Sequence, residues 1–374
     1  MKSRSLWSGI LIAVACSSSG GGGTRDAADS TDDPPAATGG AGGARTSTGG
    51  KGGADSGATG GADGGSSGAL AGQTGSDAGA DAGADTSAPE DAATSRALWT
   101  CPAGPFEAPK AGPSKTVCGG FNFKYGWNEG PTWVATQGAF FFSNFTINGG
   151  NMGNGDMIKF TPATGQCETF VADNGCNGLG ALPDGSLVAV CQKPRAVLKY
   201  DLTTKKSTVL ADMAEGKMLD SPNDVVVHRN GTIYFTNPPN DLGGRPVGFG
   251  PALMRIDPLG KLSVIAKGQV NGIAISPDER HLYVVFQGVW DLDEQGVPLK
   301  KAGAFPLGGD GLAVDCAGNV YDQGSNIHNP QGQAVGKFPG GTNMAFGGPD
   351  GKTILAVSGS GAHTVEMNIP GLPF

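Results

Sequence analysis

Six residues with oxygen-bearing side chains recur along the chain at intervals of 48, 46, 48, 39 and 32 residues, each in front of a short apolar run. They are Glu129, Asn177, Asn223, Asn271, Asp310 and Thr342. Carboxylate and amide oxygens, with no Lys, Arg, His or Cys among them, suit a hard cation such as Ca²⁺, Mg²⁺ or Mn²⁺. If the fold brings them together, we expect a cation site. The alternative is a ring of polar strand ends bridged by water.

The element that must position these residues is a β-hairpin. In "NDVVVHRNGTIYFT", which begins at Asn223, two apolar runs flank an Asn-Gly turn, a strong hairpin signal. The segments that begin at the other five residues repeat the same order of polar residue, apolar strand, turn and second strand. Second strand pairs such as "AVLKYDLTTKKSTVLA" lie between these hairpins. Each repeated unit therefore contains four predicted strands.

Six such units predict an all-β fold, a six-bladed β-propeller over residues 96–374. The absence of an amphipathic helix pattern and the 66 glycines agree with this fold class. In a propeller the innermost strand of each blade runs along the central channel, so the six polar residues are expected at one mouth of it. Residues 98–128 precede the first unit. We expect them to supply an outer strand to the last blade and so close the ring.

The start of the chain carries an export signal. Residues 1–16, "MKSRSLWSGILIAVAC", combine two basic residues, a short apolar stretch and a small residue before Cys16. This pattern resembles a bacterial lipoprotein-type signal peptide, in which Cys16 is lipidated after cleavage, and it is too short to span a bilayer. An ordinary secretory peptide is the alternative. Because Ser17 is not the Asp typical of inner-membrane retention, we expect an outer-membrane lipoprotein on the periplasmic or cell-surface face, otherwise a periplasmic or secreted protein.

Residues 17–95 consist almost entirely of Gly, Ala, Ser, Thr and Asp. A segment of this composition cannot bury enough apolar surface to offset its ordering entropy, so it predicts a disordered tether. It carries eleven acidic and three basic residues, which leaves residues 96–374 near −2 of the total net charge of −8. A nearly neutral domain without a basic stripe excludes nucleic acid as a partner. We expect a small-molecule partner, membrane contact only through the lipid anchor, and a monomer, although the oligomeric state stays open.

Six cysteines remain once Cys16 is set aside, and an exported chain meets an oxidising compartment, so disulfides are expected. Cys176 and Cys191 lie symmetrically about a Pro-Asp-Gly turn and could face each other across a hairpin. A second local prediction pairs Cys101 with Cys118. Other connectivities stay open.

Four of the repeated segments resemble the signature segments of the gluconolactonase and senescence-marker-protein (regucalcin) family and occur in its order: "EGPTW", "SPNDVVV", "NGIAIS" and "DGLAVD". Members of that family are six-bladed, calcium-dependent lactonases. The resemblance implies Glu129, Asn271 and Asp310 as metal ligands, with Asp310 also the catalytic general base. It implies Asn223 as a further ligand or substrate contact, and Asn177 is a second candidate substrate contact. The implied cofactor is a divalent cation, Ca²⁺ first, with Mn²⁺, Mg²⁺ and Zn²⁺ as alternatives.

Two positions depart from that family. Asn237 stands where bacterial relatives commonly have Asp, and Ser221 stands where animal members have Arg, so sugar-acid recognition is in doubt. No Ser nucleophile is evident, since the only G-x-S-x-G match lies at residues 64–68, inside the tether. The sequence therefore predicts a metal-dependent hydrolase that opens the ring of a sugar or other hydroxy-acid lactone at the central channel. The alternative is a non-catalytic, metal-stabilised propeller that binds a ligand or partner.

Four other side chains have weaker claims to the site. His328 is expected in a loop that could reach the channel mouth, and Arg245 lies in a Gly-rich connection that could overhang it. Trp127 and Trp133 flank Glu129. Such tryptophans more often pack between blades than bind sugars.

Overall fold

The structure, a computed structural model, describes residues 100–148, 151–240, 242, 244–359 and 361–372. The expected signal peptide, Cys16 and the tether lie outside these residues and stay predictions. Over the described ranges the chain forms 26 β-strands and one 3₁₀ turn, Ala135–Gln137. In this part of the chain no helix has the length and apolar character needed to cross a membrane.

Six four-stranded antiparallel sheets form six blades, which confirms the all-β, six-bladed propeller. The first strand, β1 (Ala111–Val117), precedes blade 1. Blade 1 contains β2 (Trp127–Val134), β3 (Ala139–Asn148), β4 (Asn151–Thr161) and β5 (Gln166–Val171). Blade 2 contains β6 (Cys176–Ala181), β7 (Leu187–Cys191), β8 (Ala196–Tyr200) and β9 (Ser207–Ala211). A small hairpin follows, formed by β10 (Met213–Ala214) and β11 (Lys217–Met218).

The other four blades have the same strand order. Blade 3 contains β12 (Val225–Val227), β13 (Ile233–Asn237), β14 (Ala252–Ile256) and β15 (Leu262–Lys267). Blade 4 contains β16 (Ile273–Ile275), β17 (His281–Val284), β18 (Gly288–Leu292) and β19 (Pro298–Gly303). Blade 5 contains β20 (Leu312–Val314), β21 (Val320–Asp322), β22 (Asn326–His328) and β23 (Ala334–Lys337). Blade 6 contains β24 (Asn343–Gly347), β25 (Thr353–Ser358) and β26 (Gly361–Met367), with β1 at its outer edge.

The ring closes as predicted, because the amino-terminal strand completes the last blade. Strand β1 pairs antiparallel with β26, with Ser114 opposite Val365. A disulfide then joins Cys118, which follows β1, to Cys167 in β5 of blade 1. Blades 6 and 1 are therefore linked covalently as well as through their packed side chains.

The other two disulfides test the local cysteine predictions. Cys176 and Cys191 pair across the β6–β7 hairpin, as predicted. The prediction that Cys101 pairs with Cys118 is wrong, because Cys101 pairs with Cys316, 215 residues away. That pairing depends on the closed ring, which brings the segment before β1 beside blade 5. The spacing of the cysteines along the chain does not predict this pairing.

The core lies between the blades, and strand β7 illustrates how it forms. Successive strand residues point to opposite faces of a sheet. Val188 and Val190 pack toward blade 3 in one apolar cluster with Phe235. Leu187 and Ala189 pack toward blade 1 in another cluster. Both faces of each blade are thereby buried, which keeps the six sheets in a rigid ring around the channel.

The first strands of the six blades contact one another in sequence around the channel, from β2 through β6, β12, β16, β20 and β24 back to β2. Their approach is close where a glycine follows the leading polar residue. A Cβ on Gly272 would lie 1.8 Å from the Asp310 carbonyl oxygen, and one on Gly178 would lie 2.6 Å from that of Asn223. The Gly178 N–H donates to the same Asn223 oxygen at 2.7 Å. In the four blades where glycine follows the leading residue, it allows that residue to sit against the next blade.

The carboxyl-terminal segment packs on blade 5 at the end of the channel opposite the leading residues. Gly371 forms a bridge with Asp315, and the Cys316 N–H donates to the Pro370 carbonyl oxygen at 2.7 Å. Leu372 lines a channel cavity of about 50 Å³. The end where the leading residues lie is called the mouth below.

Candidate functional site

Glu129 is the acidic residue of blade 1 at the mouth, and it is only 3% exposed. The Trp127 indole N–H donates to its Oε1 at 3.1 Å. Burial raises the pKa of Glu129 well above its ordinary value, and the nearby charges of Asp310 and Asp224 raise it further. Hydrogen bonds from Trp127 and Asn343 lower that pKa in part. The carboxylates of blades 3 and 5 thus lie within electrostatic reach of the blade 1 carboxylate.

The amide residues of the mouth lie beside these acids. Asn177 Nδ2 donates to Asn223 Oδ1 at 3.2 Å, so blades 2 and 3 are joined there. Asn271 precedes Gly272, whose backbone packs on the Asp310 carbonyl group, so Asn271 lies next to Asp310 around the ring. Thr342 is buried at the start of blade 6, and its carbonyl oxygen accepts the Gly311 N–H at 2.9 Å. The structure therefore brings the six leading residues to one end of the channel.

Several oxygens in and just below this ring are buried without a hydrogen-bond partner among the residues that the structure describes. They are Asn177 Oδ1, Asn271 Oδ1 and Asp224 Oδ2. A buried oxygen without a donor costs free energy unless water or a cation satisfies it. The described ranges contain no group of three or more His, Cys, Asp or Glu side chains with metal-binding geometry. Any cation here must therefore be held by carboxylates and amides together, and such all-oxygen sets fit Ca²⁺.

Two residues of the site, Asp224 and Asn343, are absent from the predicted set. Asn343 Nδ2 donates to Asp224 Oδ1 at 2.7 Å across 119 residues of sequence. Burial raises the pKa of Asp224 to about 6, and the Asn343 hydrogen bond lowers it in part. A signal for them does exist in the sequence: they follow leading residues at positions where the other four units have Gly.

The two departures from the family pattern belong to a buried network beside the mouth. Asn237 Oδ1 accepts the backbone N–H groups of Asp220 at 2.9 Å and Ser221 at 3.3 Å, while its Nδ2 donates to Asp220 Oδ2 at 3.2 Å. Asp220 is fully buried and forms an ion pair with Arg195 at 3.2 Å. A carboxylate is thus present in this region, at Asp220 rather than at position 237. The Asn237 amide fits because it both donates to that carboxylate and accepts from the backbone.

The weaker candidates have structural contacts. The loop prediction for His328 is wrong, because this residue is buried on β22 and its Nε2 lies 3.0 Å from Asp322 Oδ2. Arg245 donates to the carbonyl oxygens of Lys193 at 2.8 Å and Gln192 at 2.9 Å, which fixes the β13–β14 connection against blade 2. Trp133 packs on Phe140 with 4.8 Å between ring centroids, whereas Trp127 contacts Glu129.

Comparisons with known proteins agree with this architecture. A family model described as "SMP-30/Gluconolactonase/LRE-like region" matches residues 127–360. A gluconolactonase of Zymomonas mobilis subsp. mobilis is 29% identical over 286 residues, which cover 64% of this chain and 77% of that protein.

Two solved structures are similar in fold. A gluconolactonase of Xanthomonas campestris has a TM-score of 0.56 at 23% identity, covering 72% of this chain and 99% of its own. A regucalcin of Agrobacterium tumefaciens, described as a calcium-binding protein, has a TM-score of 0.54 at 19% identity, covering 66% and 91%. At these identities the likeness concerns the fold alone. The family match, however, spans more than half of the residues, and the chain therefore belongs to the SMP-30/gluconolactonase/LRE-like family.

Proposed function

We propose that the protein is a metal-dependent lactonase that opens a sugar or other hydroxy-acid lactone at the mouth of the propeller. The observation that carries this proposal is the convergence of buried Glu129 with the Asp310 carboxylate, beside amide oxygens that lack a hydrogen-bond partner in the described part of the chain. Membership of a family that includes gluconolactonases supports the reaction class.

Glu129, Asn271 and Asp310 would hold the cation, with Asn223 beside them. These donors are two carboxylates and two amides, which favours Ca²⁺, with Mn²⁺, Mg²⁺ and Zn²⁺ as alternatives. A bound divalent cation polarises the ester carbonyl group and lowers the pKa of a water molecule. The calcium-binding neighbour from Agrobacterium tumefaciens supports the same choice of metal.

The protein's own groups perform the proton transfers. Asp310 takes a proton from the water whose oxygen bonds to the lactone carbonyl carbon. The ring C–O bond then breaks, and the proton passes to the departing alkoxide, so atoms and charges balance. Because Asn223 Oδ1 already accepts from Asn177, the Asn223 Nδ2 group remains to donate to the lactone or to the developing oxyanion.

The location of the enzyme is part of the proposal. Residues 1–16 would direct export, Cys16 would carry the lipid, and residues 17–95 would tether the catalytic domain to the outer membrane. No membrane contact beyond that anchor and no nucleic acid partner is proposed, and we favour a monomer.

Lactone hydrolysis can be followed with a pH indicator in the presence of Ca²⁺, Mn²⁺, Mg²⁺ or Zn²⁺ in turn. We expect turnover that disappears with a chelator and returns with one of these cations. Asp310→Asn should abolish it, whereas Asp212→Asn, which changes an exposed Asp, is the matched control and should not. Chelator-resistant turnover, or full activity in Asp310→Asn, contradicts the proposal. Cation binding without turnover of any lactone would favour a non-catalytic binding propeller.

A further inference from the structure

A second layer of residues lies one position deeper in the channel than the leading residues. In four blades this position is Gly, and in blades 3 and 6 it is Asp224 and Asn343. Blades 3 and 6 lie opposite each other in a ring of six. Because the four glycines contribute no side chain, only these two residues reach across the channel in this layer. Their hydrogen bond, 2.7 Å long, spans it.

The Asn343 amide has one fixed orientation. Its Oδ1 accepts the Met344 N–H at 2.9 Å, so its Nδ2 group faces the channel and Asp224. Gly311 leaves room for this arrangement, since a Cβ there would lie 2.1 Å from Asn343 Oδ1. The backbone of blade 6 therefore fixes the Oδ1 end of the amide, while the Nδ2 end hydrogen-bonds Asp224 and also acts on Glu129.

The Asp224 carboxylate is close to the residues proposed to hold the cation. It is 5% exposed, and its charge acts on Glu129. Asn343 occupies Oδ1, while Oδ2 is buried with no hydrogen-bond partner among the described residues. A third carboxylate with a free oxygen therefore lies one layer below the proposed ligands, in a site that already contains two.

We propose that Asn343 is a positioning residue that holds Asp224 out of the coordination shell of the cation. This inference rests on the proposed function. Ca²⁺ takes six to eight oxygen ligands, and a carboxylate can fill one or two of those positions. A catalytic metal must keep positions open for water and substrate. Hydrogen-bonded to Asn343, Asp224 contributes negative charge to the site and leaves those positions to water and the lactone.

Terbium luminescence tests this directly, because Tb³⁺ is a hard cation that replaces Ca²⁺ and is excited by energy transfer from a nearby indole. Trp127, which contacts Glu129, supplies that indole. Emission lifetimes in H₂O and D₂O count the water molecules on the bound ion in the full-length protein. In Asn343→Leu we expect about one or two fewer bound waters than in the wild type, because the released carboxylate replaces them. The kcat for lactone hydrolysis should fall at least tenfold, while Tb³⁺ affinity is kept or raised.

Two variants make the result specific. The double variant Asn343→Leu/Asp224→Ala, which has no oxygen ligand at position 224, should restore the wild-type number of waters. Asn319→Leu is the matched control, because Asn319 Nδ2 also donates to a buried Asp, Asp315, at 2.8 Å, but near the far end of the channel. It should leave the water count unchanged.

An unchanged water count in Asn343→Leu, or a low count that persists in the double variant, overturns the inference while the proposed function stands. If Asn343→Leu does not fold, Asp224→Ala alone decides, since it removes the carboxylate and leaves Asn343 in place. Its water count should equal that of the wild type, and a higher count shows that Asp224 is itself a ligand. If the wild type binds neither Tb³⁺ nor Ca²⁺, the proposed function fails first, and the inference fails with it.

Discussion

The buried carboxylate of Asp224 predicts an unusual pH dependence of stability. Burial raises the pKa of Asp224 from 3.8 to about 6 in the folded protein, while the unfolded chain keeps the ordinary value. We predict that Asp224→Asn stabilises the metal-free protein at neutral pH, because the variant buries an amide where the wild type buries a charge. Asn343 can still donate to that amide, so the cross-channel hydrogen bond remains.

The size of the effect follows from the pKa. A rise from 3.8 to about 6 corresponds to roughly 3 kcal/mol between the neutral and charged forms. The folded protein holds the proton more tightly than the unfolded chain, so stability falls as pH rises between these values. Burying the Asp224 carboxylate therefore leaves the unfolding free energy almost unchanged below about pH 4 and lowers it by the full amount, roughly 3 kcal/mol, above about pH 6. The difference in unfolding free energy between variant and wild type should grow from near zero to as much as about 3 kcal/mol.

Urea unfolding at a series of pH values from acid to neutral, with a chelator present, measures this difference. Asp212→Asn is the control, because it removes an equal charge from an exposed position and should shift stability only slightly. A difference that is independent of pH, or one that grows toward acid pH, would refute the reasoning. The first outcome would mean that Asp224 is not a buried charge in the folded protein.

Three further predictions concern the cation, the disulfides and the mouth. Ca²⁺ binding should release protons, and more of them as the pH is lowered from neutral, because burial and the neighbouring Asp310 charge raise the pKa of Glu129. Calorimetry in buffers of different ionisation enthalpy measures this release, and zero release contradicts the prediction. The Cys118–Cys167 disulfide links residues 49 apart, so replacing both cysteines by Ser should lower the unfolding free energy by about 4 kcal/mol. Denaturant titrations measure this loss, and a loss below about 1 kcal/mol contradicts the prediction. Asn237→Asp should lower the midpoint of thermal unfolding more at neutral pH than at about pH 4, because it places a second carboxylate against Asp220. An equal shift at the two pH values contradicts this prediction.

The parts of the fold that depend on local pattern could be predicted from the sequence. The hairpin that begins at Asn223 has its two apolar runs on either side of an Asn-Gly turn, and the repeat of this unit predicted six blades. Residues 98–128 precede the first unit and belong to none of the six, which predicted that they supply the outer strand of the last blade, as β1 does. Cys176 and Cys191 are also local, since one hairpin contains both.

What could not be predicted depends on distances across the closed ring. The hydrogen bond between Asp224 and Asn343 requires two opposite blades and four glycines that leave the space between them open. Cys101 meets Cys316 only because the closed ring brings the segment before β1 beside blade 5. The sequence predicts a loop at His328, but the residue lies on β22 and pairs with Asp322 of the neighbouring strand. In each case the two partners lie on different strands or blades, and the number of residues between them along the chain does not indicate that they are in contact.

The carboxyl-terminal segment packs at the end of the channel away from the leading residues. Leu372 lines the channel cavity, and its N–H donates to the Val314 carbonyl oxygen at the end of β20. Because this segment packs at the far end, we expect whatever binds at the ring of leading residues to arrive and depart through the mouth. A lactone bound at the mouth then stands between the cation and the solvent. For the proposed enzyme we therefore expect an order in which metal enters before substrate and leaves only after product, so that an occupied site retains its cation.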